Sequence, residues 1–141
     1  MPKLSELSEK NAYVGVPKID PTYLTLLWHS DFFDGAINGV LKYDGGKYWF
    51  EMFSESDDEN LEGYYRRFFV IELSEDQLQK EEKWHQLFRE KVGGHTDYGA
   101  NQRTNRSRIK PQELWKEFYD LYKLRTPRDL SENQVIGWFE R

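Results

Sequence analysis

The sequence has 141 residues, no cysteine and a formal net charge of −5 at pH 7. This length fits one domain with its own core, and the lack of cysteine excludes disulfides, a thiolate nucleophile and Cys-ligated metal centres. It also favours a cytoplasmic protein. No run approaches the roughly 20 apolar residues that cross a bilayer, and residues 1–10 are polar, so we expect neither membrane insertion nor a signal peptide.

Residues 1–21 predict a partly ordered N-terminal arm. They mix Ser, Glu and Lys with three prolines, and only residues 13–16 offer much apolar surface. Residues 22–141 are predicted to form a single domain. Its first strand is Tyr23–His29, where apolar and more polar side chains alternate, as they do in a strand with one buried face.

The clearest hairpin joins Ile37–Tyr43 to Lys47–Phe53 through Asp44-Gly45-Gly46. Either Asp-Gly or Gly-Gly suits the positive-φ positions of a tight primed turn. A two-residue loop fixes which side chains share a face. One face then carries Leu41, Tyr43, Tyr48 and Phe50, and the other carries Val40, Lys42, Trp49 and Glu51.

The rest of the chain divides into an acidic segment, a strand, two helices and a last strand. The acidic segment is read as a surface turn, since its spacing matches no EF-hand calcium loop. A capping box at Ser74 starts the first helix, and Gly93-Gly94 ends it. The segments are Ser54–Glu62 (acidic), Tyr64–Leu73 (strand), Ser74–Val92 (helix), Pro111–Thr126 (helix) and Gln134–Glu140 (strand).

The element order β-β-β-β-α-α-β indicates the α+β class. Strands that cluster before the helices favour a mainly antiparallel sheet of about five strands with two helices packed on it. In the second helix, five residues follow the helical period of a packed stripe, and the first four are predicted to be buried. They are Leu114, Trp115, Phe118, Leu121 and Tyr122.

Two His-x-Asp pairs are the candidate catalytic residues. His29 precedes Asp31, and His95 precedes Asp97. If the pairs converge, imidazole and carboxylate groups could hold a metal or act as general acid and base. The alternative is that the aspartates cap local turns and the histidines are ordinary surface residues, which we favour. We therefore predict no metal and no cofactor.

Arg66 and Arg67 lie in the aromatic strand beside Tyr64 and Tyr65. Adjacent strand residues point to opposite faces, so at least one arginine must face a covered surface or a groove. It could stack on Trp49 or Tyr65 and pair with Glu51 or Glu72, or it could await an anionic ligand. Pairing within the protein is favoured, yet both arginines remain candidate binding residues, together with Tyr64 and Tyr65.

Residues 103–128 carry a local charge of +5, which leaves −10 on the rest of the chain. This asymmetry indicates either an anionic partner or neutralisation within the molecule, and we favour the second. Single-stranded nucleic acid would need the cationic track and the stacking rings of the sheet. The cationic residues are Arg103, Arg106, Arg108 and Lys110.

The leading hypothesis is a non-catalytic protein-interaction or regulatory module of the cytoplasm. It rests on nine Phe, nine Tyr and five Trp, with aromatic side chains on both predicted sheet faces. The predicted contact is a protein partner or a second copy, met through a half-exposed surface around Trp49. The alternatives are a metal-dependent or His/Asp acid–base hydrolase and, third, a single-stranded nucleic-acid binder.

Overall fold

The computed structural model describes residues 1–32, 35–56, 65–93 and 111–141. Contacts divide the chain into two compact units, Met1–Ser74 with Asp129–Arg141, and Glu75–Arg128. Neither the partial order of residues 1–21 nor the single domain over residues 22–141 is tested by these observations, so both remain predictions. No helix within the described ranges has the length and apolar character needed to span a membrane.

The first unit contains a five-stranded antiparallel sheet in the order β1-β2-β3-β4-β5. Two long helices, α2 and α3, lie between β4 and β5 in the chain, which confirms the α+β class. The strands are β1 (Leu24–Phe32), β2 (Ala36–Tyr43), β3 (Gly46–Ser56), β4 (Tyr65–Glu72) and β5 (Val135–Glu140), and the helices are α1 (Ala12–Gly15), α2 (Glu75–Lys91) and α3 (Gln112–Lys123).

The hairpin between β2 and β3 has the predicted two-residue turn. Asp44 and Gly45 both have positive φ, 49° and 79°, which is the requirement of a type I′ turn. Val40 therefore lies opposite Trp49, and Leu41 lies opposite Tyr48. The predicted assignment of side chains to the two faces is confirmed.

The two faces of the sheet bury different apolar sets. Face A is the side of Leu41 and Phe50, and its buried cluster also includes Phe68, Val70 and Phe139, with Ile19 from the arm. Face B is the side of Val40 and Trp49, and the strand register continues it through Phe69, Ile71 and Trp138. A sheet covered on both faces explains why its strands carry large apolar residues at nearly every position.

Residues 1–21 contribute to the first unit. Ala12, Val16 and Ile19 are buried, and α1 is a single helical turn that begins at Ala12. Pro17 and Pro21 each follow a residue with extended backbone, as the ring of proline requires. The arm therefore alternates short turns with extended pieces.

The second unit is a pair of helices joined through aromatic rings. Phe118 on α3 is 3 % exposed, and its ring lies 5.6 Å from Phe88 and 6.1 Å from Trp84, both on α2. Leu121 is 48 % exposed, so its predicted burial is wrong. Tyr122, which belongs to the predicted stripe, stacks on Phe118 at 5.3 Å, whereas Leu121 lies at the edge of the contact.

In the same unit, an ion pair joins α2 to the segment after α3. The guanidinium of Arg128 donates two hydrogen bonds to the Glu81 carboxylate, at 2.7 and 3.0 Å, with both side chains largely buried. This two-point geometry is the strong form of an arginine–carboxylate contact. At the end of α2, Gly93 has a φ of 95°, so the predicted glycine stop is confirmed.

Candidate functional site

Tyr13 lies on α1 above face B, where it covers the ends of three strands. Its ring meets Trp138 of β5 edge to face, with centroids 4.9 Å apart, and lies 6.0 Å from Phe53 of β3. Phe53 in turn stacks on Phe69 at 4.0 Å. These contacts hold Tyr13 in one position while 39 % of the residue remains exposed.

Arg67 of β4 is enclosed by three rings and a carboxylate. Its guanidinium carbon lies 3.9 Å from the Tyr65 ring centroid, 5.1 Å from that of Tyr13 and 5.8 Å from that of Trp138. The Nε group donates to Glu140 at 2.8 Å, and an Nη group donates to the Tyr13 hydroxyl at 2.7 Å. Cation–π and charge-assisted hydrogen bonds therefore act on the same side chain.

The protonation state of Arg67 follows from these contacts. Burial acts to lower the pKa of Arg67, but the hydrogen bonds to Glu140 and Tyr13 outweigh it and raise that pKa above its ordinary value. The guanidinium is therefore charged at neutral pH. Glu140 balances that charge, so the site presents a fixed, neutralised cation among rings.

Two exposed residues border this group. Val14 follows Tyr13 and is 91 % exposed, and the Lys18 ammonium lies 5.2 Å from the Trp138 ring centroid. We name the tyrosine–arginine surface for four residues, with Val14 and Lys18 at its rim. The four are Tyr13, Tyr65, Arg67 and Trp138.

Chemically, the tyrosine–arginine surface is suited to binding. The tyrosine rings offer apolar faces, the Tyr13 hydroxyl offers a hydrogen bond, and the Lys18 ammonium offers an exposed charge. Arginine and aromatic residues of this kind dominate the energetic centres of protein interfaces.

The structure places the predicted arginine pair on opposite faces of β4. Arg66 is buried, donates to the Glu55 carboxylate at 2.9 Å and also donates to the Ala36 carbonyl oxygen at 3.3 Å. Arg67 stacks on Tyr65, which was one of its two predicted aromatic partners. Arg66 pairs with Glu55 and Arg67 pairs with Glu140, whereas the sequence suggested Glu51 or Glu72. Tyr64 lies outside the described residues.

Trp49 is the clearest correction. It is 0 % exposed, so the half-exposed surface predicted around it is absent from this conformation. A polar neighbour, Glu51, had suggested that this face is half exposed. Its carboxylate instead accepts a hydrogen bond from the Trp49 indole Nε1 at 3.2 Å. Val40 and Ile71, its partners on the flanking strands, are fully buried as well. Trp49 is a core residue.

The residues of the first His-x-Asp pair lie on opposite faces of β1. β1 runs past both residues, and its register sets His29 opposite Gly39 and Asp31 opposite Asn38, which places them on opposite faces. Asp31 accepts a hydrogen bond from the buried Asn38 amide at 2.8 Å. His95 and Asp97 lie outside the described residues, so the convergence of the two pairs stays untested.

Other predicted features also fall outside the described ranges. They are the basic segment with Arg103, Arg106, Arg108 and Lys110, and the acidic residues 57–62. Within the part of the chain that the structure describes, no three His, Asp or Glu side chains are grouped to hold a metal ion. The nucleic-acid hypothesis accordingly remains a prediction.

Two residues of the tyrosine–arginine surface were missed from the sequence, as was the carboxylate that pairs with Arg67. Tyr13 was assigned to a partly ordered arm, and Trp138 and Glu140 were assigned only to the last strand. The available signals were the apolar residues 13–16 in an otherwise polar arm and the strand alternation over residues 135–140. Neither signal brings together residues 13, 67 and 138, because their contact depends on sheet order.

Comparisons with protein-family models, with curated proteins and with solved structures found no match to this chain.

Proposed function

We propose that this protein is a non-catalytic protein-interaction module that binds its partner through the tyrosine–arginine surface. The observation that supports this most is the half-exposed ring of Tyr13, which is fixed in place against Arg67 and Trp138. Tyrosine, tryptophan and arginine are the residues enriched where binding energy concentrates. The lack of cysteine suits a reducing compartment, so we also propose that the protein acts in the cytoplasm.

Preorganisation favours this surface over other exposed aromatic residues. A side chain ordered only on binding loses rotamer freedom, which costs about 0.5–1.5 kcal/mol for each one immobilised. Tyr13 and Arg67 already lose this rotamer freedom on folding, because each is held by the other. Tyr23 is more exposed than Tyr13, and it serves as the control residue in the experiment below.

The test uses the full-length chain as bait with three variants. Val14→Asp places a charge at the rim of the surface without touching the core, since Val14 is almost wholly exposed. Tyr13→Ala removes the ring, and Tyr23→Ala is the matched control at an exposed tyrosine elsewhere. Partners captured by the unmodified chain are identified, and the affinity of each variant for them is measured by titration calorimetry.

We expect Val14→Asp and Tyr13→Ala to weaken binding at least tenfold, about 1.4 kcal/mol, while Tyr23→Ala binds normally. Circular dichroism and the thermal midpoint confirm that each variant is folded. Because Tyr13 also packs on Trp138, the decisive variant is Val14→Asp. Unchanged affinity of a folded Val14→Asp variant would remove this surface from the proposal.

A further inference from the structure

The outer edge of β5 is occupied by the N-terminal arm. The Trp138 amide donates to the Pro17 carbonyl oxygen at 3.0 Å, and the Ile19 amide donates to the Trp138 carbonyl oxygen at 2.7 Å. Lys18 and Trp138 form a parallel bridge between these two bonds. The arm thus acts as a short additional strand on the last strand of the sheet.

A second piece of the arm pairs with the start of β5. Lys3 and Gln134 form an antiparallel bridge, the Val135 amide donates to the Pro2 carbonyl oxygen at 2.9 Å, and the Leu4 amide donates to the Asn133 carbonyl oxygen at 2.9 Å. These are main-chain hydrogen bonds, which any chain in the same register can form.

The fit of one side chain fixes the register of the arm on β5. A Cβ atom at Gly137 would lie 2.5 Å from Cδ1 of Ile19 and 2.9 Å from the Pro17 carbonyl oxygen, so only glycine leaves the notch that Ile19 fills. Ile19 is buried there against the face A cluster. The β5 edge therefore accepts an extended segment with an aliphatic side chain at one position, and residues 17–19 supply it.

The connection between the arm and the sheet is one short turn. Asp20 caps it by accepting hydrogen bonds from the amide and the hydroxyl of Thr22, and the chain then enters β1. No contact between the arm and β5 requires the two to belong to one molecule. Straightening this turn would let the same arm reach the same edge of a neighbouring molecule, which is the geometry of segment exchange.

We propose that the β5 edge is a self-association surface, on which residues 1–19 of a second copy dock in the register seen within one copy. The exchanged dimer repeats every arm contact, so its stability relative to the monomer depends on the turn at Asp20–Tyr23 and on concentration. A short tether gives its own arm an effective concentration on the order of millimolar. Exchange is therefore expected at comparable protein concentration or after refolding at high concentration.

The cysteine-free chain allows a direct test. Lys3 and Gln134 are bridged partners, a spacing at which two introduced cysteines can form a disulfide. Lys3→Cys and Gln134→Cys are prepared in separate full-length chains, mixed, unfolded, refolded together at high concentration and oxidised. An exchanged arm brings the two thiols together across molecules, so we expect a disulfide-linked heterodimer on a non-reducing gel.

The matched control replaces Gln134→Cys with Lys47→Cys, an exposed residue paired with Lys42 in the β2–β3 hairpin. Random collision would link Lys3→Cys to either partner equally, whereas exchange favours Gln134→Cys several-fold. A doubly substituted chain, Lys3→Cys with Gln134→Cys, should form an intramolecular disulfide when dilute and covalent dimers when refolded concentrated. Equal yields with Gln134→Cys and Lys47→Cys, with the doubly substituted chain monomeric at every concentration, would overturn the proposal.

Discussion

At the scale of single residues, Gly39 determines how closely β1 approaches β2. A Cβ atom at Gly39 would collide with the Trp28 carbonyl oxygen and would lie 2.6 Å from Cα of His29 and 2.9 Å from Cε1 of Phe50. Two of these neighbours are main-chain atoms of a paired strand, which cannot rotate away. Gly39 is therefore required for space, whereas Gly45 is required for its positive φ.

These two requirements predict different costs for the same substitution. Gly39→Ala should lower the free energy of unfolding by about 3 kcal/mol, the upper end of ordinary overpacking, because the obstacle is backbone. Gly45→Ala meets no atom within 4 Å and should cost about 1–2 kcal/mol from backbone strain alone. Urea unfolding followed by tryptophan fluorescence measures both, and equal losses would contradict the steric explanation.

At the scale of elements, the helical unit depends on Phe118. Phe118→Ala should lower the free energy of unfolding by about 3–5 kcal/mol, because a buried ring in contact with Phe88 and Trp84 is removed. Leu121→Ala on the same helix should cost about 1 kcal/mol or less, since half of that side chain is already in water. Unfolding is followed at the helical band of circular dichroism.

This pair also tests the assignment of the contact stripe on α3. If Leu121→Ala proves as costly as Phe118→Ala, the stripe that the sequence period predicts is the true one and the observed orientation of α3 is wrong.

Local patterns account for what could be predicted from the sequence. Strand alternation and the Asp44-Gly45 turn gave the faces of β2 and β3, including the shared face of Val40 and Trp49. What covers a face is a tertiary property, so the burial of Trp49 could not be read from its neighbours. The contact of Tyr13 with Arg67, 54 residues away, left no local signature either.

At the scale of the whole sheet, the two edges are protected in different ways. β5 is covered by the arm. β1 is irregular: Leu26 pairs with Leu41 and Trp28 pairs with Val40, so Leu27 is an extra residue that bulges the strand, and two more register shifts follow His29. Bulges twist an edge and interrupt its row of hydrogen-bonding groups, which hinders pairing with another chain.

Deleting Leu27 should make the β1 edge prone to self-association. The deletion leaves Leu26 opposite Leu41 and Trp28 opposite Val40, so both side chains keep their faces and β1 becomes regular from Leu24 to His29. The variant should fold but self-associate at concentrations at which the unmodified chain is monodisperse, as measured by light scattering. Leu27→Ala, which keeps the bulge and removes the exposed side chain, is the control and should scatter like the unmodified chain. If the deletion variant stays monodisperse, or if Leu27→Ala self-associates as strongly as the deletion variant, the bulge does not protect this edge.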